Sequence, residues 1–402
     1  MREKRSTIFM LLAVVLIGYL NFHNVAAAAP LPLSSESGPH AIEDRIRRMT
    51  LEEKIGQLFI ISADGDLENL IRNYHAGGIV LFTRHAPNIS QTMQLIEKAR
   101  RASSIPLFIA VDQEGGPVSR LSYATAIPAA RNLGMLSDSS MQNIGLLVGR
   151  ELQALGFNMN FAPVLDVDTC EENPVIGKRS FSRDPYTVAR LGSAYIRGLH
   201  SAGIVAVGKH FPGHGDTRTD SHFELPVVTQ SEERLHTLEL LPFRAAIAAG
   251  VDAIMIAHVS YPALDPTPNW PASLSRPIIT QTLRNELEYP GIIVTDAMNM
   301  KAITNLKTSG LAAKTALMAG ADIILMPAHF PVAYHLLLAA VKNGEIPVSR
   351  INTSVMRILS LKNRLTDPQS IPFDKRLDHA MKTVGSPAHR LWLERILNDS
   401  NP

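Results

Sequence analysis

Between positions 209 and 226 the chain reads K-H-F-P-G-H-G-D-T-R-T-D-S-H-F-E-L-P, which crowds His210, His214, Asp216, Asp220 and His222 into one short stretch. No helix can run through Pro212, Gly213 and Gly215, so the stretch is a loop. Two chemistries compete for it. Three histidines and two aspartates could ligate zinc or iron, although His210 and His214 lack the helical spacing of H-E-x-x-H. Asp220 and His222, two residues apart in an extended turn, could instead form an acid/base pair. The carboxylate would fix the imidazole tautomer and leave the other ring nitrogen to exchange protons near neutral pH. A third reading has the histidines simply satisfying loop backbone groups. Asp296, which follows I-I-V-T, is the other candidate: a nucleophile, a base or a ligand at the end of a buried strand, or else a helix N-cap.

Eight short apolar runs, at 56–62, 78–82, 107–112, 158–163, 205–209, 253–258, 292–295 and 322–326, alternate with amphipathic stretches such as 186–202 and 231–250. Continuous apolar runs mark strands covered on both faces, and the alternation marks β/α units. The expected fold is therefore α/β, a single (β/α)8 TIM-type barrel; no G-x-G-x-x-G follows the first strand to support a doubly wound dinucleotide fold. Asp112, Asp166, Lys209 with His210, His258 and Asp296 all fall at or just beyond the C-terminal ends of these strands. That rim is where barrels of this kind place their chemistry.

The 402 residues carry 39 basic and 37 acidic side chains, a net charge of +2, which gives no field to attract nucleic acid. The single cysteine, Cys170, excludes an intrachain disulfide and a zinc ribbon. Arg2, Lys4 and Arg5 precede an apolar run at 8–20, and four alanines at 26–29 precede Pro30. This is the order of a secretory signal peptide, with a run too short for a membrane span of about 20 residues. An uncleaved anchor is the competing reading, and no nearby cysteine supports a lipoprotein. Cleavage after Ala29 would leave 373 residues with 36 charges of each sign. The expected organisation is a signal peptide at 1–29, a linker at 30–40, a barrel at 41–365 and a short tail with a helix at 366–402. Export to the periplasm or medium is expected, with no stable membrane span if the signal is cleaved.

V-D-Q-E-G-G-x-V-x-R at 111–120, G-K-R-S-F-S at 177–182, K-H-F-P-G-H-G-D-T at 209–217, D-S-H at 220–222, A-H-V-x-Y-P at 257–262 and V-T-D-A-M at 294–298 together resemble glycoside hydrolase family 3. More narrowly, they resemble its single-domain β-N-acetylglucosaminidases of the NagZ type. The resemblance covers about residues 40–365, and K-H-F-P-G-H-G followed by D-S-H is its most specific part. It implies that Asp296 is the catalytic nucleophile and His222 the general acid/base, oriented by Asp220. It further implies that Asp112, Arg120, Arg179, Lys209 and His210 hold the N-acetylglucosamine ring, with no metal and no cofactor.

The implied activity is that of a retaining exo-β-N-acetylglucosaminidase whose partner is a small carbohydrate: a monomer removing terminal GlcNAc from peptidoglycan fragments. One departure stands out, since the family usually has Arg where this chain has Pro117. Many family members add an α/β sandwich that supplies a carboxylate acid, for which 373 residues leave no room, and this favours a histidine acid. The alternatives are a family 3 β-glycosidase or phosphorylase of other sugar preference, and a metal-dependent hydrolase using the His210, His214 and His222 loop.

Overall fold

The computed structural model describes residues 39–365 and 370–398. The signal-peptide expectation and most of the linker lie outside them. Residues 1–41 form a unit separate from 42–402, and of that unit only the start of the helix Pro39–Arg48 is described. Among the described residues no helix is long and apolar enough to cross a membrane.

Among the described residues the larger unit is built on ten strands: β1 (Phe59–Ser62), β2 (Gly78–Leu81), β3 (Phe108–Val111), β4 (Gln113–Gly115), β5 (Val118–Ser119), β6 (Met159–Asn160), β7 (Val205–Phe211), β8 (Ala253–Ile256), β9 (Ile292–Thr295) and β10 (Ile324–Leu325). Eight of them pair in parallel in the order β10-β1-β2-β3-β6-β7-β8-β9. The ring closes between β9 and β10 through the Val294 to Ile323 bridge, where Thr295 N donates to Ile323 O at 3.0 Å. This is the (β/α)8 barrel anticipated from the apolar runs. Its strands are buried along nearly their whole length, as a sheet sheathed by helices requires.

Among the boundaries that differ from the sequence reading, β7 runs on to Phe211, so His210 and Phe211 belong to the strand and not to the expected loop, and three others have a clear local reason. The run at 56–62 is strand only from Phe59, because Thr50 and Glu53 form a capping box that starts the helix Leu51–Gln57. The run at 158–163 is strand only at Met159–Asn160: Pro163 has no N–H for the ladder, and pairing resumes at the Val164 to Lys209 bridge. The helix expected over 231–250 is cut into Glu232–Arg234, a π-turn at Leu235–Glu239, and Leu241–Ala248. Pro242 cannot donate to the carbonyl four residues back, and its ring crowds that carbonyl.

The remaining pair, β4 and β5, forms an antiparallel hairpin standing on the C-terminal rim directly after β3. Its turn is Gly116 and Pro117. Gly116 has φ +55, and the ring-fixed negative φ of Pro117 suits the second position of a type II′ turn. Pro117 is therefore accommodated, and the hairpin returns the chain to Arg120. Beyond residue 369 the tail carries two helices, Phe373–Thr383 and Pro387–Asn398, where the sequence reading placed one. They are tied down by buried Glu151, whose carboxylate accepts from Gly385 N (2.9 Å) and bonds His389 Nδ1 (2.8 Å).

Candidate active site

A cavity of about 280 Å³ opens at the C-terminal rim, lined by Asp112, Glu114, Arg120, Arg179, Lys209, His210, His222 and Asp296 among others. Seven of the eight side chains to which the family resemblance gives roles therefore line one space, and the eighth, Asp220, bonds to His222.

At the cavity's buried end, the Lys209 side chain is only 2% exposed. Its Nζ lies 2.7 Å from Asp112 Oδ1 and 2.6 Å from Glu114 Oε1. Arg179 grips the same Glu114 with two parallel bonds, Nε to Oε2 at 2.9 Å and Nη2 to Oε1 at 2.8 Å. Such forked pairs fix both partners in orientation as well as in charge. Burial works against the Glu114 carboxylate, yet the Lys209 and Arg179 charges outweigh it and hold its pKa at about 2. The same carboxylate pushes the Arg179 guanidinium upward against its own burial. Glu114, Arg179 and Lys209 stay charged near neutrality and, with Asp112, present fixed donors and acceptors to a hydroxyl-rich ligand.

His210 is set by Asp166, which is fully buried: Oδ2 lies 2.7 Å from His210 Nδ1, and Oδ1 accepts from His214 N at 2.7 Å. The nearby His210 ring and these bonds overcome burial to hold the Asp166 carboxyl below its ordinary value. His214 is engaged elsewhere, with Nδ1 2.9 Å from Thr217 Oγ1 and Nε2 3.1 Å from Ser221 Oγ. Burial pushes its pKa down to about 4, so it is neutral at pH 7 and structures the loop. Gly215 is forced by packing: a Cβ there would stand 1.7 Å from Val167 O.

His222 occupies the outer part of the loop, with its side chain 61% exposed. Its Nδ1 lies 2.7 Å from Asp220 Oδ1, which also accepts from its backbone N–H at 2.8 Å. Burial opposes ionisation of Asp220, but the bonds from His222 prevail and its carboxyl sits below the usual range. An ionised Asp220 on Nδ1 leaves Nε2 to exchange protons. Asp296 follows β9, and its Oδ1 accepts from Ala297 N at 2.7 Å. It does not cap a helix, since the next helix starts at Lys301. Burial raises its carboxyl, while His258, His210 and the Ala297 N–H lower it further, so the net shift is downward. His258 serves as a brace. Its Nε2 donates to Ala297 O at 3.0 Å and its Nδ1 lies 2.7 Å from Ser273 Oγ, while burial lowers its pKa against the pull of the Asp296 carboxylate.

His210, His214 and His222 thus each bond a different partner, and among the described residues no three ligating side chains group to hold a metal. Glu114 is the functional group that the sequence reading missed. Its position two residues past Asp112 on the rim hairpin was the available signal. Replacing it would leave Arg179 without its carboxylate while Lys209 keeps Asp112. Glu114→Gln should cost about 3 kcal/mol of stability by urea titration and raise KM more than it lowers kcat.

The model for the glycosyl hydrolase family 3 N-terminal domain matches residues 50–361. Beta-hexosaminidase A of Pseudoalteromonas piscicida is 37% identical over 355 residues, covering 81% of this chain. The chain spans 58% of that relative's length. A solved family 3 beta-N-acetylglucosaminidase from Paenibacillus sp. superposes with a TM-score of 0.76 at 41% identity, over 83% of this chain and 68% of that one. A beta-glucoside phosphorylase, BglX, superposes with a TM-score of 0.83 at 25% identity, over 94% and 70%.

Proposed function

The chain belongs to glycoside hydrolase family 3, and from that premise we propose that it is a retaining exo-β-N-acetylglucosaminidase acting on peptidoglycan fragments. The observation that carries this reading is the pairing, around one cavity, of a lowered carboxylate at Asp296 with an Asp220-supported imidazole at His222. In the first step the Asp296 carboxylate bonds to the anomeric carbon as the glycosidic bond breaks and the leaving oxygen takes the proton of His222. In the second, His222 takes a proton from water, whose oxygen displaces Asp296 and regenerates both groups. The paired charges of Lys209, Asp112, Glu114 and Arg179 suit the sugar hydroxyls.

Export rests on the basic, apolar and small-residue order at 2–29, and a mature chain beginning at Pro30 is its signature. A phosphorylase is the second reading, favoured by the likeness to BglX. In it, phosphate replaces water in the second step. With p-nitrophenyl β-GlcNAc in phosphate buffer the expected product is free GlcNAc, at a rate well above that on the β-glucoside, as read by chromatography and released nitrophenolate. Accumulation of a sugar 1-phosphate would instead establish the phosphorylase. A faster rate on the glucoside would overturn the sugar assignment.

A further inference from the structure

Asn173, on the rim loop after β6, stands behind the cavity lining, yet its side chain joins two segments of the rim. Its Oδ1 accepts from Val175 N at 2.9 Å and from Ile176 N at 2.7 Å. Its Nδ2 donates to His214 O at 2.9 Å, to Gly215 O at 3.0 Å and to Thr217 Oγ1 at 3.2 Å. A reversed amide would set its oxygen against two carbonyls and its hydrogens against two N–H groups, so the pattern admits one orientation. Both ends of the carboxamide are spent on chain that lies outside any helix or strand.

The two segments carry different parts of the chemistry. On the Oδ1 side, Val175 lines the cavity and its carbonyl accepts from Arg179 Nη1 at 3.3 Å, while Arg179 N donates to Ile176 O at 2.7 Å. That turn aims Arg179 at Glu114. On the Nδ2 side, His214 Nδ1 lies 2.9 Å from Thr217 Oγ1, and its Nε2 lies 3.1 Å from the Oγ of Ser221, the residue before His222. The path from Asn173 to His222 thus runs through His214 and Ser221. The Asp220 bond to His222 lies within the loop, so it travels with the loop and cannot fix where the loop stands.

We infer that Asn173 is a positioning residue for proton transfer, setting the separation between the Arg179 wall and the loop that delivers His222. This rests on the glycosidase reading above and adds to it a residue that touches neither the substrate nor the proton. Its effect is large because a misplacement of about 1 Å at a reacting group costs about 10²-fold in rate.

Asn173→Asp divides the two sides of the carboxamide. A carboxylate still accepts from Val175 N and Ile176 N, but it has no hydrogen for the loop and repels the His214 and Gly215 carbonyls. On GlcNAc-β-1,4-MurNAc, whose leaving oxygen needs a proton, kcat/KM should fall by about 10²-fold. On 2,4-dinitrophenyl β-GlcNAc, whose phenolate leaves unprotonated, kcat/KM should stay within about threefold, while kcat drops because water in the second step still needs His222. Azide attacks the anomeric carbon of the glycosyl-Asp296 intermediate without a base, so it should restore kcat on that substrate and give a glycosyl azide. A merely structural role predicts equal losses on both substrates and no azide response, and that result overturns the inference. So does unchanged turnover of the disaccharide. If circular dichroism shows that Asn173→Asp does not fold, Thr217→Val carries the same comparison, since it deletes one loop acceptor of Asn173 and leaves the 175–176 turn bound. Equal losses or none in that variant overturn the inference as well. Cleavage of the two β-GlcNAc substrates by the wild type reports the glycosidase reading separately.

Discussion

Asp296→Ala should lower kcat on p-nitrophenyl β-GlcNAc by roughly 10⁴-fold or more, the scale on which removal of a covalent nucleophile acts. The fold should persist. Asp296 makes its one side-chain bond to the adjacent Ala297 N, while the loop is held independently by His258 on Ala297 O. Circular dichroism and the urea midpoint should therefore stay near wild type. Azide offers a sharper readout. Entering the space that the missing carboxylate leaves, it should restore part of the rate and give an α-glycosyl azide, because attack comes from the face Asp296 occupied. The wild-type acid limb carries the same signature. The nucleophile must be ionised, so activity falls as pH drops through its pKa. With His258 and His210 holding that pKa down against burial, the limb should lie below the ordinary carboxylate range. A variant within tenfold of wild type would exclude Asp296 as nucleophile.

The barrel was legible because parallel strands buried on both faces leave continuous apolar runs, and each of the eight runs overlaps a strand of the ring. Their ends were not. Pro163 and Pro242 interrupt pairing and helix through a missing donor, and the capping box at Thr50 extends a helix into apparent strand. In the site, ionisable residues at strand ends announced themselves, and the structure gathers them at one cavity. Their pairing did not. Asp166 and His210 are 44 residues apart, and Glu114 and Arg179 are 65 apart, so no local pattern joins them. Closure of the barrel creates those pairs.

His222→Ala should divide substrates by leaving group. A sugar alkoxide leaves only if protonated, so kcat on GlcNAc-MurNAc should fall by about 10²- to 10⁴-fold, the usual contribution of general acid catalysis. A 2,4-dinitrophenolate leaves without a proton. On that aglycone the first step should be nearly spared, and the covalent intermediate should accumulate because the second step still needs His222 as base. Rapid mixing should show a burst of dinitrophenolate followed by a slow steady state. Asp220→Asn separates the proton's carrier from its orientation. The imidazole remains but loses the ionised partner at 2.7 Å that fixes its orientation through Nδ1, so kcat on GlcNAc-MurNAc should fall by less than in His222→Ala, while the dinitrophenyl substrate keeps its fast first step. The exposed loop makes folding loss an unsuitable explanation for either variant, since the His222 side chain is 61% exposed and its side-chain bond goes to Asp220 alone. Equal losses on the sugar and dinitrophenyl substrates, with no burst, would assign the acid to another group.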